Sequence, residues 1–260
     1  MTQTAVEPQT RDTVREAYAK LAQGARCCDT SINPVMSERV DYGTDQLAGV
    51  PIEADMGVGC GNPTAMAGLK PGDTVLDLGS GGGLDCFLAA KAVGPEGRVI
   101  GVDMTPEMIS KARANAAKAD FGNVEFRLGE IEHLPVADGT VDVILSNCVI
   151  NLSPSKAQVF SDAYRALKPG GRLHVSDVVE TDPLPDHMKT DQRLICGCMG
   201  GAASVGALFD WLETAGFSDI AIDVSEASRT FIAEWAPGTG VENHIASAAI
   251  TATKPTENPA

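Results

Sequence analysis

Between residues 70 and 180, short apolar runs alternate with longer stretches in which apolar residues recur every three or four positions. Residues 74–78, 98–102, 124–128, 141–146 and 172–176 form runs of the first kind, with the length and β-branched content of buried strands. Residues 84–93, the segment opened by Thr105 and Pro106, and residues 155–167 predict helices. Thr105 suits an N-cap, and Pro106 suits the first helical position, where a missing N–H leaves no bond unmade. Lys168-Pro169-Gly170-Gly171 predicts a turn into the last of these strands. The alternation implies βαβ units, hence an α/β fold in which a mostly parallel sheet carries helices on both faces.

The flanks follow a different rhythm. Residues 13–23 (TVREAYAKLAQ) predict a short helix ended by Gly24, and residues 25–72 read as irregular, with turn signals at Asn33-Pro34 and Gly61-Asn62-Pro63. Beyond Asp177, a proline-rich piece at 182–186 leads to a helix, a cysteine-bearing loop, a helix at 204–215 and apolar stretches at 219–224 and 244–252. The expected organisation is an N-terminal cysteine-bearing segment (1–67), a sheet domain (68–180) and a C-terminal α+β cap over the sheet (181–260).

Composition narrows the function classes. A formal charge of −15 over 260 residues repels phosphate backbones, which argues against a nucleic-acid substrate. No apolar stretch is long enough for a membrane span, and the polar start at Met1 to Asp12 lacks the blocks of a signal peptide, so a cytoplasmic protein is expected. In a reducing compartment most of the seven cysteines are expected as thiols.

The first strand runs into Leu76-Asp77-Leu78-Gly79-Ser80-Gly81-Gly82-Gly83. Glycines after the first strand of such a sheet let the main chain approach a ligand closely, because no Cβ intervenes. Asp103 follows Gly79 by 24 residues and ends the second strand, where a carboxylate can accept both ribose hydroxyl protons. Leu84 stands where a dinucleotide fingerprint has its third glycine, and the motif begins some seventy residues into the chain. Both features favour S-adenosylmethionine over a nicotinamide cofactor. The later run Gly129-Glu130-Ile131-Glu132-His133-Leu134-Pro135 and the strand ending in Asn147 are similar to small-molecule methyltransferases. That likeness implies Met104 against the adenine and Gly129, Glu130 and Ile131 along its edge. The expected cofactor residues are therefore Asp77, Gly79, Ser80, Gly81, Gly83, Asp103, Met104, Gly129, Glu130, Ile131 and Asn147.

The cysteines carry the substrate signal. A soft acceptor prefers thiolate sulfur, and cysteines from separate parts of a chain could converge on one. Cys148 follows the fourth strand at its carboxyl end, while Cys60 and Cys198 flank the sheet domain on either side. Cys27-Cys28, Gly59-Cys60-Gly61-Asn62-Pro63, Gly101-Val102-Asp103-Met104-Thr105, Ser146-Asn147-Cys148-Val149-Ile150-Asn151-Leu152 and Gly197-Cys198-Met199-Gly200-Gly201-Ala202 resemble the arsenite methyltransferases along nearly the whole chain. The resemblance implies a Rossmann-like class I methyltransferase sheet, arsenic held by Cys60, Cys148 and Cys198, and catalytic roles for Cys27 and Cys28. One of that pair would join Cys60 in a disulfide during reduction of the product, with thioredoxin or glutathione resetting it. The substrate would be arsenite or a thiol conjugate of it.

Other residues have plainer expectations. Cys86 on the helix after the glycine loop reads as core, and Cys196 as a bystander, with auxiliary ligand or redox partner the alternatives. His133, His174, His187 and His244 lack metal-ligand spacing. Two other functions compete: a quinone-type methyltransferase of carbon or oxygen nucleophiles, and a thiol-based metalloid-binding protein without catalysis.

Overall fold

The computed structural model describes residues 7–24, 42 and 47–256. Helices α1 (Glu7–Ala22) and α2 (Pro63–Met66) precede the sheet. Asn62 caps α2 by accepting the Ala65 N–H at 2.9 Å, with Pro63 in the first turn. The regular core then runs β1 (Thr74–Leu78), α3 (Leu84–Val93), β2 (Arg98–Asp103), α4 (Pro106–Ala119), β3 (Val124–Leu128), β4 (Val141–Asn147), α5 (Lys156–Ala166) and β5 (Leu167–Glu180). Helices α6 (Asp186–Lys189) and α7 (Gln192–Cys196), strand β6 (Ala203–Ser204), α8 (Val205–Ala215), β7 (Ser218–Ser225), α9 (Arg229–Trp235) and β8 (Ile245–Thr253) complete the chain.

The main sheet has the order β3-β2-β1-β4-β5-β8-β7, with β6 pairing to β5 off that path. Strands β1 to β5 are parallel where they pair, and β8 runs antiparallel to both β5 and β7. The parallel α/β sheet expected from the alternation is therefore present. Two local differences have physical causes. The Lys168–Gly171 stretch is not a separate turn but an irregularity inside β5, where pairing with β4 jumps from Leu167 opposite Val141 to Arg172 opposite Val143 and Gly170 takes φ +79°. The last third does not act as a cap alone, because β7 and β8 extend the sheet and β8 pairs with nine residues of β5.

Strand periodicity sets the two faces. Leu76, Leu78, Ile100, Val102 and Ile144 pack with Phe160 of α5 and Leu212 of α8. Val75, Val99, Val143 and Leu145 point the other way, onto Phe87 of α3 and Ile109 of α4. Each fully buried Leu, Ile or Phe contributes about 1.5–3 kcal/mol relative to exposure. A third apolar cluster joins Val14 of α1, Cys60, Leu152, Leu194, Cys198 and Ile232, drawing the two flanking segments together. Among the described residues, no helix is long and apolar enough to cross a membrane.

Candidate active site

From β1 the chain builds outward through β2 and β3, then returns to place β4 on the other side of β1. Loops leaving the carboxyl ends of β1 and β4 diverge at such a switch point and leave a crevice. Here those loops begin at Gly79 and Cys148, and they border a cavity of about 490 Å³. That volume suits a ligand of nucleoside size.

The glycine loop is shaped by contact as well as conformation. Gly79 has φ +70°, and a Cβ there would lie 2.3 Å from a Val149 methyl. The two loops are thus packed backbone to side chain. Gly79 and Ser80 N–H groups both donate to the Val102 carbonyl, which locks the loop onto β2. Asp103 then holds it from the other side, accepting from Gly81 N–H at 3.0 Å and Thr105 N–H at 2.8 Å. Ser80 Oγ is buried beside the cavity with no protein partner, a hydroxyl that a bound polar ligand would satisfy.

Three acidic side chains face the same space. Asp77, Asp85 and Asp103 are all buried and line the cavity. Burial pushes the Asp77 carboxyl well up, Asp85 and Asp103 raise it further, and the Cys86 thiol donating at 3.2 Å opposes them. Burial likewise raises Asp85, against hydrogen bonds from Tyr42 (2.7 Å), Asn147 (3.1 Å) and Thr64 (3.2 Å). Burial raises Asp103 against its two N–H donors. Burial makes these carboxyls hold a proton more readily, and a cation placed among them would draw them back toward the ionised form. A sulfonium with an attached ammonium and ribose fits this donor set.

Asn147 links the cavity to the cysteines. Its Oδ1 accepts the Cys60 N–H at 3.0 Å, and its Nδ2 donates to the Gly61 carbonyl at 2.9 Å. The Cys60 loop is thereby tied to the end of β4. Cys60 and Cys148 are joined as a disulfide, with Cα atoms 5.8 Å apart. The Cys198 thiol donates to the Cys148 carbonyl oxygen. Cys148 and Cys198 have φ +54° and +64°, two of only four non-glycine residues with positive φ among the described ones. Conformations of this type persist where surrounding contacts over-determine them and concentrate at functional sites.

The expected residues distribute as follows. Asp77, Gly79, Ser80, Gly81, Asp103, Met104, Ile131 and Asn147 border the cavity. Gly83 lies behind it as the left-handed N-cap of α3 (φ +98°). Gly129 packs on Pro135, and Glu130 pairs with Arg11 at 3.2 Å, so neither faces the cavity directly. Cys148 and Cys198 reach the cavity, while Cys60 is buried behind them. Cys27 and Cys28 lie outside the described residues, and the sulfur bonded to Cys60 is that of Cys148. Within 4.8 Å of one another are donor atoms of Cys60, Cys148 and Asp177, so the carboxylate stands where the expected set has Cys198. Cys86 is fully buried, as its helical position implied. Cys196 is buried at the cavity wall, and its carbonyl accepts from Tyr18 at 3.2 Å.

Several lining residues carried no readable signal. Arg11 and Tyr18 reach the cavity from α1, with Arg11 held by Glu130 and Glu132. Trp235 arrives from α9. Only Asp85 was within reach of sequence reasoning, as a charge in the first turn after the glycine loop, where a helix start favours an anion.

A family model described as a methyltransferase domain matches residues 69–216. An arsenite methyltransferase from Halobacterium salinarum is 50% identical over 262 residues, covering 95% of this chain and 67% of that protein. One from Aquipseudomonas alcaligenes is 40% identical over 222 residues, covering 80% of this chain and 62% of that protein. The chain thus spans about two thirds of the length of these relatives. The crystal structure of an arsenic(III) S-adenosylmethionine methyltransferase from Chlamydomonas reinhardtii superposes with a TM-score of 0.61 at 33% identity, covering 86% of this chain and 74% of that one.

Proposed function

The chain belongs to the arsenite methyltransferase family, and from that membership we propose that it methylates trivalent arsenic, with S-adenosylmethionine as methyl donor. The observation that carries this reading is the Cys60–Cys148 pair at the end of β4, with the Cys198 thiol on the Cys148 carbonyl and both Cys148 and Cys198 lining the crevice. A transferase acting on a carbon or oxygen nucleophile has no use for cysteines placed in this way.

Bound S-adenosylmethionine supplies an electrophilic methyl group on a sulfonium. Ser80 and the main chain of Gly79 to Gly81 would hold its methionine end, Asp103 its ribose, and Met104 and Ile131 its adenine. Asp77 and Asp85, buried beside the cavity, would ionise against the cationic end. Asn147 fixes the Cys60 loop beside them.

Arsenite, or a thiol conjugate of it, exchanges its oxygen or sulfur ligands for cysteine sulfurs. Each exchange moves a thiol proton to the departing group, giving water or free thiol. Three sulfurs leave the arsenic lone pair as the nucleophile, so no base is needed to remove an O–H or N–H proton. The main contribution of the chain is then orientation and exclusion of water. The methylated arsenic is pentavalent, and two thiols reduce it by two electrons as they close a disulfide. The Cys60–Cys148 bond supports that pair as the one formed, with Cys27 or Cys28 able to accept the bond onward. A thiol reductant, thioredoxin or glutathione in a reducing cytoplasm, completes the cycle. In this division residues 1–67 bring Cys60 and the vicinal pair, 68–180 the cofactor site, and 181–260 bring Cys198.

Reduction is therefore a precondition of substrate binding. Protein with the Cys60–Cys148 bond intact is expected to retain little arsenite through desalting. After treatment with a phosphine reductant it is expected to retain about one arsenic per chain by elemental mass spectrometry. Equal retention before and after reduction contradicts the proposal.

A further inference from the structure

Cys148 and Cys198 sit on separate loops fifty residues apart, each in a left-handed conformation that a cysteine does not adopt by preference. Something must hold both. The buried pair Asn151 and Asp177 touches the two loops at once.

On the Cys148 side, Asp177 Oδ2 accepts the Ile150 N–H at 3.1 Å and the Asn151 N–H at 3.3 Å. These bonds close the turn directly after Cys148. The Cys148 N–H itself donates to the Ser176 carbonyl at 2.8 Å, so the turn is anchored to β5 at two successive residues. Asp177 Oδ1 accepts Asn151 Nδ2 at 2.8 Å and its neighbour Val178 N–H at 2.9 Å. Four N–H groups thus meet one carboxyl group, whose pKa burial raises to about 7 while these bonds hold it down.

On the Cys198 side, Asn151 Oδ1 accepts the Ala203 N–H at 3.3 Å, while its Nδ2 also donates to the Val178 carbonyl at 2.6 Å. Gly201 lies so close to Asn151 that a Cβ there would meet the Asn151 carbonyl oxygen at 2.3 Å. The loop from Cys198 to Ala203 therefore rests on Asn151 by both hydrogen bond and van der Waals contact.

We propose that Asn151 and Asp177 form a brace that sets the spacing of the Cys148 and Cys198 sulfurs, and that Asn151 is its joint. Asn151 is a positioning residue, acting through the cysteines, while the Asp177 carboxylate also lies within 4.8 Å of the Cys60 and Cys148 sulfurs. The proposal rests on the arsenic-binding reading above. A trivalent centre with three sulfur ligands is sensitive to that spacing, whereas a ligand needing two sulfurs can use Cys60 and Cys148 alone.

Asn151→Ala removes the bonds to Asp177, Val178 and Ala203, and Asn151→Ser is a second, polar truncation. With reduced protein, both are expected to weaken arsenite about tenfold or more. The same variants should bind phenylarsine oxide, a two-thiol ligand, and S-adenosylmethionine within about twofold of the parent. The KM for arsenite should rise while the KM for S-adenosylmethionine stays. An equal fall in all three affinities marks Asn151 as structural only and overturns the brace. Unchanged arsenite affinity also overturns it. A parent protein that binds phenylarsine oxide but no arsenite removes the functional reading and the brace together.

Discussion

Replacing Cys148 with serine is expected to lower arsenite methylation by at least about a hundredfold, the penalty that accompanies a misplaced reacting group. Serine keeps the backbone bonds of the turn, including the Cys148 N–H to Ser176, and changes one atom. That atom decides whether a soft acceptor is held, because hydroxyl oxygen is a poor ligand for trivalent arsenic. S-adenosylmethionine affinity should stay within about twofold, since the glycine loop and Asp103 are untouched. The comparison belongs under reducing conditions, where parent and variant both lack the disulfide across 88 residues. Under oxidising conditions the variant should unfold at lower temperature, having lost a cross-link. Parallel rate assays and calorimetry check the result. Methylation within tenfold of the parent would mean that arsenic does not depend on Cys148.

The second large effect belongs to Gly79→Ala, which is expected to weaken S-adenosylmethionine by about thirtyfold or more. Two costs add there. A Cβ at φ +70° is itself unfavourable by about 1–2 kcal/mol. It would also stand 2.3 Å from one Val149 carbon and 2.8 Å from another. Overpacking of this kind costs about 1–3 kcal/mol more. The loop can relax only by leaving Val102 or by pushing Val149, and Val149 adjoins Cys148. Arsenite binding should therefore weaken as well, though less than cofactor binding. Isothermal titration with S-adenosylmethionine is the check, and an affinity within threefold of the parent contradicts the packing account.

What the chain disclosed about itself follows from the range of each interaction. Strands 74–78, 98–102 and 124–128 were readable because strand periodicity and flanking turns are local. Gly79, Gly81 and Asp103 were readable because close ligand approach and ribose binding fix residue type at a fixed distance along the chain. The joining of β8 to β5 was not, since antiparallel pairing between residues as far apart as Arg172 and Thr253 leaves no mark on either segment. The Lys168–Gly171 stretch looked like a turn because proline and glycine favour both turns and strand irregularities. At the site, the three cysteines were recognisable by context. Their arrangement was not, because it depends on half-buried Asn147 and on Asn151 and Asp177, buried polar residues whose surroundings only the fold determines. Arg11 illustrates the same limit: its partners Glu130 and Glu132 lie some 120 residues away.

The central claim is that arsenic held by these cysteines receives a methyl group from S-adenosylmethionine. Reduced protein incubated with arsenite and S-adenosylmethionine bearing a deuterated methyl group tests it directly, with arsenic species separated and read by mass spectrometry. The account predicts methylated arsenic carrying the deuterated group, in amounts that grow with time and vanish with Cys148→Ser. Arsenite recovered unmethylated from reduced, cofactor-binding protein would contradict it.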